Sequence, residues 1–251
     1  MLWQKSWLET RWRFLIGAIL LSCSAAVTVF TYPTVKELLS LVQGNATGAL
    51  GRQIRESAEL ARTFPGYIWS ESFAGNQRQW ITLFAILLGT ASFLSTSGGA
   101  SFTLSLPVSR RRLLAVRTST GLAELFILAM FPALLIPLLA PAIGESHGVA
   151  SALIHGFCLF IVATIFYNLG FLLSTIFSDP WRPVLIAIGV AVALGFLDRV
   201  LRFTPLSLFD VMSAERYFRH GAVPWAGLLV SVAIAAGLYS VAVANLVRRD
   251  F

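Results

Sequence analysis

The sequence predicts an all-α polytopic membrane protein with six transmembrane helices. Three observations predict it. Hydrophobic residues make up 57% of the 251 positions while charged ones make up 12%, the mean hydropathy is +0.76, and the apolar residues gather in bilayer-length runs. Soluble domains are about half apolar and about a quarter charged, whereas a bilayer-crossing helix needs about 20 largely apolar residues. The balance excludes intrinsic disorder and argues against a single soluble core.

Each element has a local reason. We read residues 1–251 as one transmembrane domain with spans at about 14–32, 80–97, 112–143, 149–177, 183–197 and 225–247. Ahead of the first span, Lys5, Arg11 and Arg13 alternate with Trp3, Trp7 and Trp12, the pattern of an interfacial anchor. Pro33 is expected to end that helix. A cleaved signal peptide would share the basic start, but the later apolar runs need the topology that an uncleaved first helix supplies.

Residues 33–78 form the longest polar stretch, read as an extracytoplasmic loop with short amphipathic surface helices and a turn at Pro65-Gly66. The second span closes at Gly98-Gly99, and residues 98–111 lead into the third. That third run exceeds the length a bilayer requires, so it should project or break near Pro132, Pro137 or Pro141. Ser178-Asp179-Pro180 ends the fourth span. Residues 198–223 are amphipathic and aromatic, as expected of a helix at or dipping into the interface.

With six spans both termini lie on one side, and basic residues decide which. Ten of the nineteen crowd short segments beside helix ends on the amino-terminal side, including Arg110, Arg111, Arg112, Arg117, Arg182, Arg248 and Arg249. Five of the other nine are spread through the long loop. Both termini are therefore expected in the cytoplasm, with the chain integral to a membrane. The net charge of +7 lies between apolar runs rather than on a soluble face, so anionic lipid, not nucleic acid, is the expected partner. Cys23 and Cys158 sit inside apolar runs and imply no disulfide framework, and His147, His155 and His220 are too scattered to suggest a metal site.

Several chemistries are excluded by motif. The only lysines, Lys5 and Lys36, do not follow a glycine, so the chain cannot cradle ATP in a P-loop. It has no Gly-x-Ser-x-Gly elbow and no His-Glu-x-x-His helix, and no enzymatic activity or bound cofactor is expected.

The strongest local feature is GGASFTLSLPVSRRRLLAVR, residues 98–117. Pro107 breaks the chain, Ser109 can cap the next helix, and Arg110, Arg111 and Arg112 then fill its first turn. Cations there oppose the helix dipole at about 0.3–1 kcal/mol each. Two readings compensate for that cost: a positive stop against anionic headgroups, worth about 1 kcal/mol per charge, or a docking surface for a soluble partner anchored by Phe102, Leu104 and Leu106. The other residue of note is Glu124, a carboxylate about two turns inside a span and a functional candidate by its cost alone. Arg117, seven residues earlier on the same face, is the expected ion-pair partner, with Arg11 or Arg13 as substitutes; gating or substrate contact is the other role open to Glu124. Thr164, Tyr167 and Asn168 are expected to hydrogen-bond between helices, and Gly170, Gly189 and Gly195 to allow close packing.

At this segment the chain resembles a family. LSLPVSRRRLLAVR is similar to the signature of type-2 permeases of ATP-binding-cassette transporters, in which a short coupling helix precedes Pro-Val-Ser-Arg. FTPLSLFD (203–210), NLGFLLSTIFSDPWRPVL (168–185) and VANLVRRDF (243–251) resemble further family segments in the same order. Residues 97–103 depart from it, carrying Ser-Gly-Gly-Ala-Ser-Phe-Thr where acidic residues and Gly-Thr are common. The resemblance implies a permease subunit of an exporter for a hydrophobic or amphipathic substrate, such as a lipid, a peptide antibiotic or a drug. It implies a separate ATPase subunit that carries ATP and Mg, and a second permease copy or homologous permease. Residues 99–106 would be the coupling helix, Pro107 and Arg110–Arg112 would lie beside the ATPase, and residues 200–220 would form re-entrant helices at the external mouth. A self-sufficient secondary transporter or channel, and an integral-membrane enzyme using Glu124 or His155, are the alternatives.

Overall fold

The computed structural model describes residues 2–41, 58–90, 110–177, 179, 181–201 and 207–248. Among them every regular element is helical. In chain order they are α1 (Leu2–Leu41), α2 (Phe64–Ile68), a π-helical segment (Trp69–Asn76), α3 (Gln77–Thr90) and α4 (Arg110–Leu139) with a 3-10 turn (Ala140–Ile143). There follow α5 (Val149–Ile176), α6 (Trp181–Leu201), α7 (Leu208–Met212), α8 (Glu215–His220) and α9 (Trp225–Arg248).

Among the described residues five helices are long and apolar enough to cross a membrane: Trp3–Leu39, Leu114–Ile143, Val149–Ile176, Trp181–Asp198 and Trp225–Leu246. The second predicted span, 80–97, is described only as far as Thr90. Its α3 portion runs antiparallel to α1, because Arg13 near the start of α1 meets Leu87 near the end of α3.

α5 is the axis of the bundle. It packs on α3, α4 and α9, while α1 covers α3 and α4. Of its apolar stretch 56% is buried, against 11% for α6, which turns most of its surface outward. Where lipid is as apolar as leucine, helices gain from close backbone approach at small residues rather than from burial of oil. Gly89 of α3 lies against the backbone carbonyl of Tyr167, and a Cβ on Gly170 of α5 would stand 3.0 Å from the Ile86 carbonyl oxygen. These two glycines bring α3 and α5 together, as expected for Gly170. Among the described residues, Gly189 has no atom within 4 Å of its Cβ position and Gly195 stands at an ordinary 3.6 Å from Phe209, so neither mediates close packing there.

Two local expectations are corrected, and a third is met at one of its three candidate prolines. Pro33 does not end the first helix; α1 continues through it to Leu41. Tertiary contacts on both sides of it outweigh the lost backbone hydrogen bond: the buried Tyr32 ring packs edge-on against Phe64 at 5.1 Å, and Lys36 pairs with Glu145 at 3.2 Å. Pro65-Gly66 is not a turn but opens α2, whose first amides are capped when Gly66 N donates to Thr63 Oγ1 at 3.3 Å. The third span passes through Pro132 and Pro137 as one helix; it tightens into the 3-10 turn at Pro141 and stops at Gly144, whose φ of 75° is the left-handed cap. Residues 208–220 form two short helices, α7 and α8, hinged at Ala214 (φ 52°).

Candidate functional site

Two side-chain clusters occupy opposite ends of the bundle. The first lies at the end where α1 begins, α3 is last described, and α4 starts. One face of α4 carries Arg117, Gly121 and Glu124 at helical spacing, and α1 brings Glu9, Thr10 and Arg13 to meet it. Arg117 pairs with Glu9 at 2.9 Å. Thr10 Oγ1 donates to Glu124 Oε1 at 2.5 Å, and Arg13 donates to the Leu87 carbonyl oxygen at 2.5 Å. The cluster therefore ties α1 to both α4 and α3.

The expected Arg117–Glu124 pair is replaced by these two contacts between helices. Residues seven apart are separated by about 10.5 Å along a helix axis, and α1 supplies nearer partners to each. The gap between them is also filled: the Tyr167 hydroxyl lies against Gly121, where a Cβ would collide with it. Glu124 is 2% exposed, and its Oε2 has no hydrogen-bond partner among the described residues. Ser6 Oγ, Thr118 Oγ1 and Asn168 Oδ1 are likewise buried and unpartnered. A half-satisfied buried polar cluster is costly and is kept only where something else needs it.

The other sequence candidates fall as follows. Phe102, Leu104, Leu106 and Pro107 lie outside the described residues. Arg110 and Arg111 open α4, their side chains outside the description, and Arg112 is exposed on the first turn. Thr164 does not bridge helices; its hydroxyl donates to Ile161 of its own helix at 2.6 Å. That role is taken by a residue the sequence reading passed over, Asn245 of α9, whose Nδ2 donates to Thr175 Oγ1 of α5 at 3.0 Å. An asparagine near the end of an apolar run was the available signal.

The second cluster lies at the opposite end and is aromatic. Phe73 of the π segment stacks on His155 of α5 (4.5 Å between centroids, 20°), and Tyr217 of α8 meets the same imidazole edge-on at 5.6 Å. Trp69 stacks on Phe218 at 4.6 Å, and its indole N–H donates to the Ser213 carbonyl oxygen at 3.1 Å. These contacts hold α7 and α8 against α5 and the π segment, which kinks at Gly75.

Asp210 on α7 carries a titratable strain here. Burial first, and then the Glu215 charge, push its carboxyl up to about 6. Folding therefore favours its protonated form: its contribution is complete below the ordinary carboxylate value and is lost as pH rises through about 6. Asp210→Asn is expected to unfold at the wild-type temperature at pH 4 and above it at pH 7.5; thermal unfolding at the two pH values reads this directly.

No family model, curated protein or solved structure matches the chain. The fold itself, helical among the described residues and with five helices long and apolar enough to cross a membrane, is compatible with an integral membrane protein. Among the described residues no group of three or more His, Cys, Asp or Glu side chains could hold a metal ion.

Proposed function

We propose that the chain is the membrane-spanning permease subunit of an ATP-driven exporter of the ATP-binding-cassette type. It would have six spans, cytoplasmic termini and a bacterial cytoplasmic-membrane location. The observation that carries this reading is the segment 98–117, whose SLPVSRRR string resembles the coupling region of type-2 permeases and leads into a long apolar helix. The exposed Arg112 at the head of that helix, and the start of α1 and the end of α9 at the same end of the bundle, agree with a cytoplasmic docking face. On this reading a separate ATPase binds ATP and Mg and moves residues 99–106 as it closes. A second permease copy completes the pathway, and lipid surrounds α6. The cargo is hydrophobic or amphipathic.

The test is co-purification. The solubilised chain alone should not hydrolyse ATP, and it should carry an ATPase subunit with it from its native membrane. Leu104→Glu with Leu106→Glu should break that association while the permease stays folded. Unchanged co-purification defeats the coupling assignment.

A second reading, a self-sufficient secondary transporter or channel, draws on one observation: Glu124 is a buried carboxylate with one oxygen unpartnered, a group suited to carry a proton or cation. Proteoliposome transport that needs an ion gradient and no ATPase selects it.

A further inference from the structure

The aromatic cluster at the far end of the bundle holds three buried ring nitrogens without partners among the described residues: Nε2 of His155, and both Nδ1 and Nε2 of His147 in the loop between the 3-10 turn and α5. His155 Nδ1 lies 2.7 Å from the Ser151 carbonyl oxygen. A carbonyl only accepts, so Nδ1 carries the hydrogen and Nε2 of the neutral ring is a bare lone pair. That ring is 2% exposed, sandwiched between the face of Phe73 and the edge of Tyr217. His147 leans on the same Phe73 at 6.5 Å and on Phe64 at 6.3 Å. A proton added to either imidazole would create an N–H donor and a charge with aromatic rings beside it. Stacking on an aromatic face returns less than the hydration that a buried cation loses.

We infer that His147 and His155 form a proton-sensitive latch, closed when both rings are neutral, that holds α8 and the π segment against α5. Acidification opens it. Tyr217 is the residue through which α8 grips His155, while Trp69 and Phe218 complete the contact, so losing the His155 sandwich loosens the segment that leads into α9.

The charged and titratable groups around the latch either oppose this response or take no part in it. From α1, Lys36 and Tyr32 approach, and Lys36 is held by Glu145 of the His147 loop. From the segment 64–76, Tyr67 faces Tyr32, and burial followed by the Glu71 charge raises its phenol, so it stays neutral. On α5 itself Cys158 follows His155 by one turn. Across the hinge, Glu215 pairs with Arg219 at 2.6 Å, and Asp210 gains its proton as pH falls through about 6. Protonating Asp210 relieves its repulsion with Glu215 and tightens the α7–α8 hinge, the opposite sign to the latch. Burial also pushes the His147 imidazole below its ordinary value, so opening belongs below about pH 6.5.

The test is hydrogen–deuterium exchange of the full chain in lipid nanodiscs at pH 7.5 and 4.5, corrected for the pH dependence of intrinsic exchange. Protection of residues 208–220 should fall about tenfold or more on acidification and return when the pH is restored. The double variant His147→Phe, His155→Phe keeps the ring packing without the proton site. Its protection should stay within about twofold, or rise as Asp210 protonates. An unchanged wild type, or a double variant that loses protection as the wild type does, overturns the latch. His147→Phe alone, in the loop, guards against a folding failure: its loss should be less than the wild type's, and an equal loss overturns the proposal.

Discussion

Replacing Glu124 by leucine is expected to raise the unfolding temperature of the chain and, on the permease function proposed above, to abolish ATP-driven transport. The carboxylate is buried, one oxygen is held by a single threonine hydroxyl, and the other has no partner. A charge-assisted hydrogen bond contributes about 1.5–3 kcal/mol, less than the several kcal/mol that burying an ion costs. Thr10 loses little, since its hydroxyl also lies 3.2 Å from the Ser6 carbonyl oxygen one turn back. A gain of about 1–2 kcal/mol follows, by the logic that buried ionic groups replaced by apolar ones of similar volume are often neutral or stabilising. Thermal unfolding in nanodiscs and ATP-driven transport in proteoliposomes measure the two halves. A loss of about 2 kcal/mol or more would make Glu124 a structural anchor, and full transport by the variant would remove it from the functional site.

Gly89→Leu should be the most destabilising single change in the bundle. The Cβ would meet the backbone carbonyl of Tyr167, which cannot rotate away, so α3 and α5 must separate. Gly170, one turn along α5, would bring a Cβ within 3.0 Å of Ile86 and 3.1 Å of Thr90, so the two helices approach at both points and neither can relax alone. Overpacking typically costs about 1–3 kcal/mol; the better helix propensity of leucine returns less than about 1 kcal/mol. Separation would also pull Leu87 from Arg13 and loosen the cluster around Glu124. Gly89→Ala gives the graded control: a smaller fall in unfolding temperature, with the leucine variant failing to reach a folded, monodisperse state. Wild-type stability of both variants would refute the close approach.

Much of the architecture was legible in the sequence because bilayer-length apolar runs obey a length rule that tertiary contacts rarely override. The fourth run, 149–177, is α5 within one residue, and Trp225–Arg248 matches the last. Errors came where a local breaker competed with packing. Pro33 and Pro137 signal an end in isolation, yet both lie inside helices whose flanks are anchored elsewhere. Pro65-Gly66 reads as a turn until Thr63 caps the amides that follow.

The polar residues divide along the same line. Composition and spacing alone determined that this is a helical chain built from membrane-length apolar segments, that Glu124 is an expensive residue, and that Arg117 shares its face. Only the tertiary structure decided the partners. Glu9 and Thr10 lie more than a hundred positions away from Arg117 and Glu124, and they meet them because α1 crosses α4 at that height. His147 and His155, unremarkable eight residues apart, share Phe73 because the π segment folds back over the end of α5. A helix period states which residues share a face; it carries no information about which other helix that face will meet, and the ion pairs, the bare carboxylate oxygen and the imidazole latch all depend on that choice.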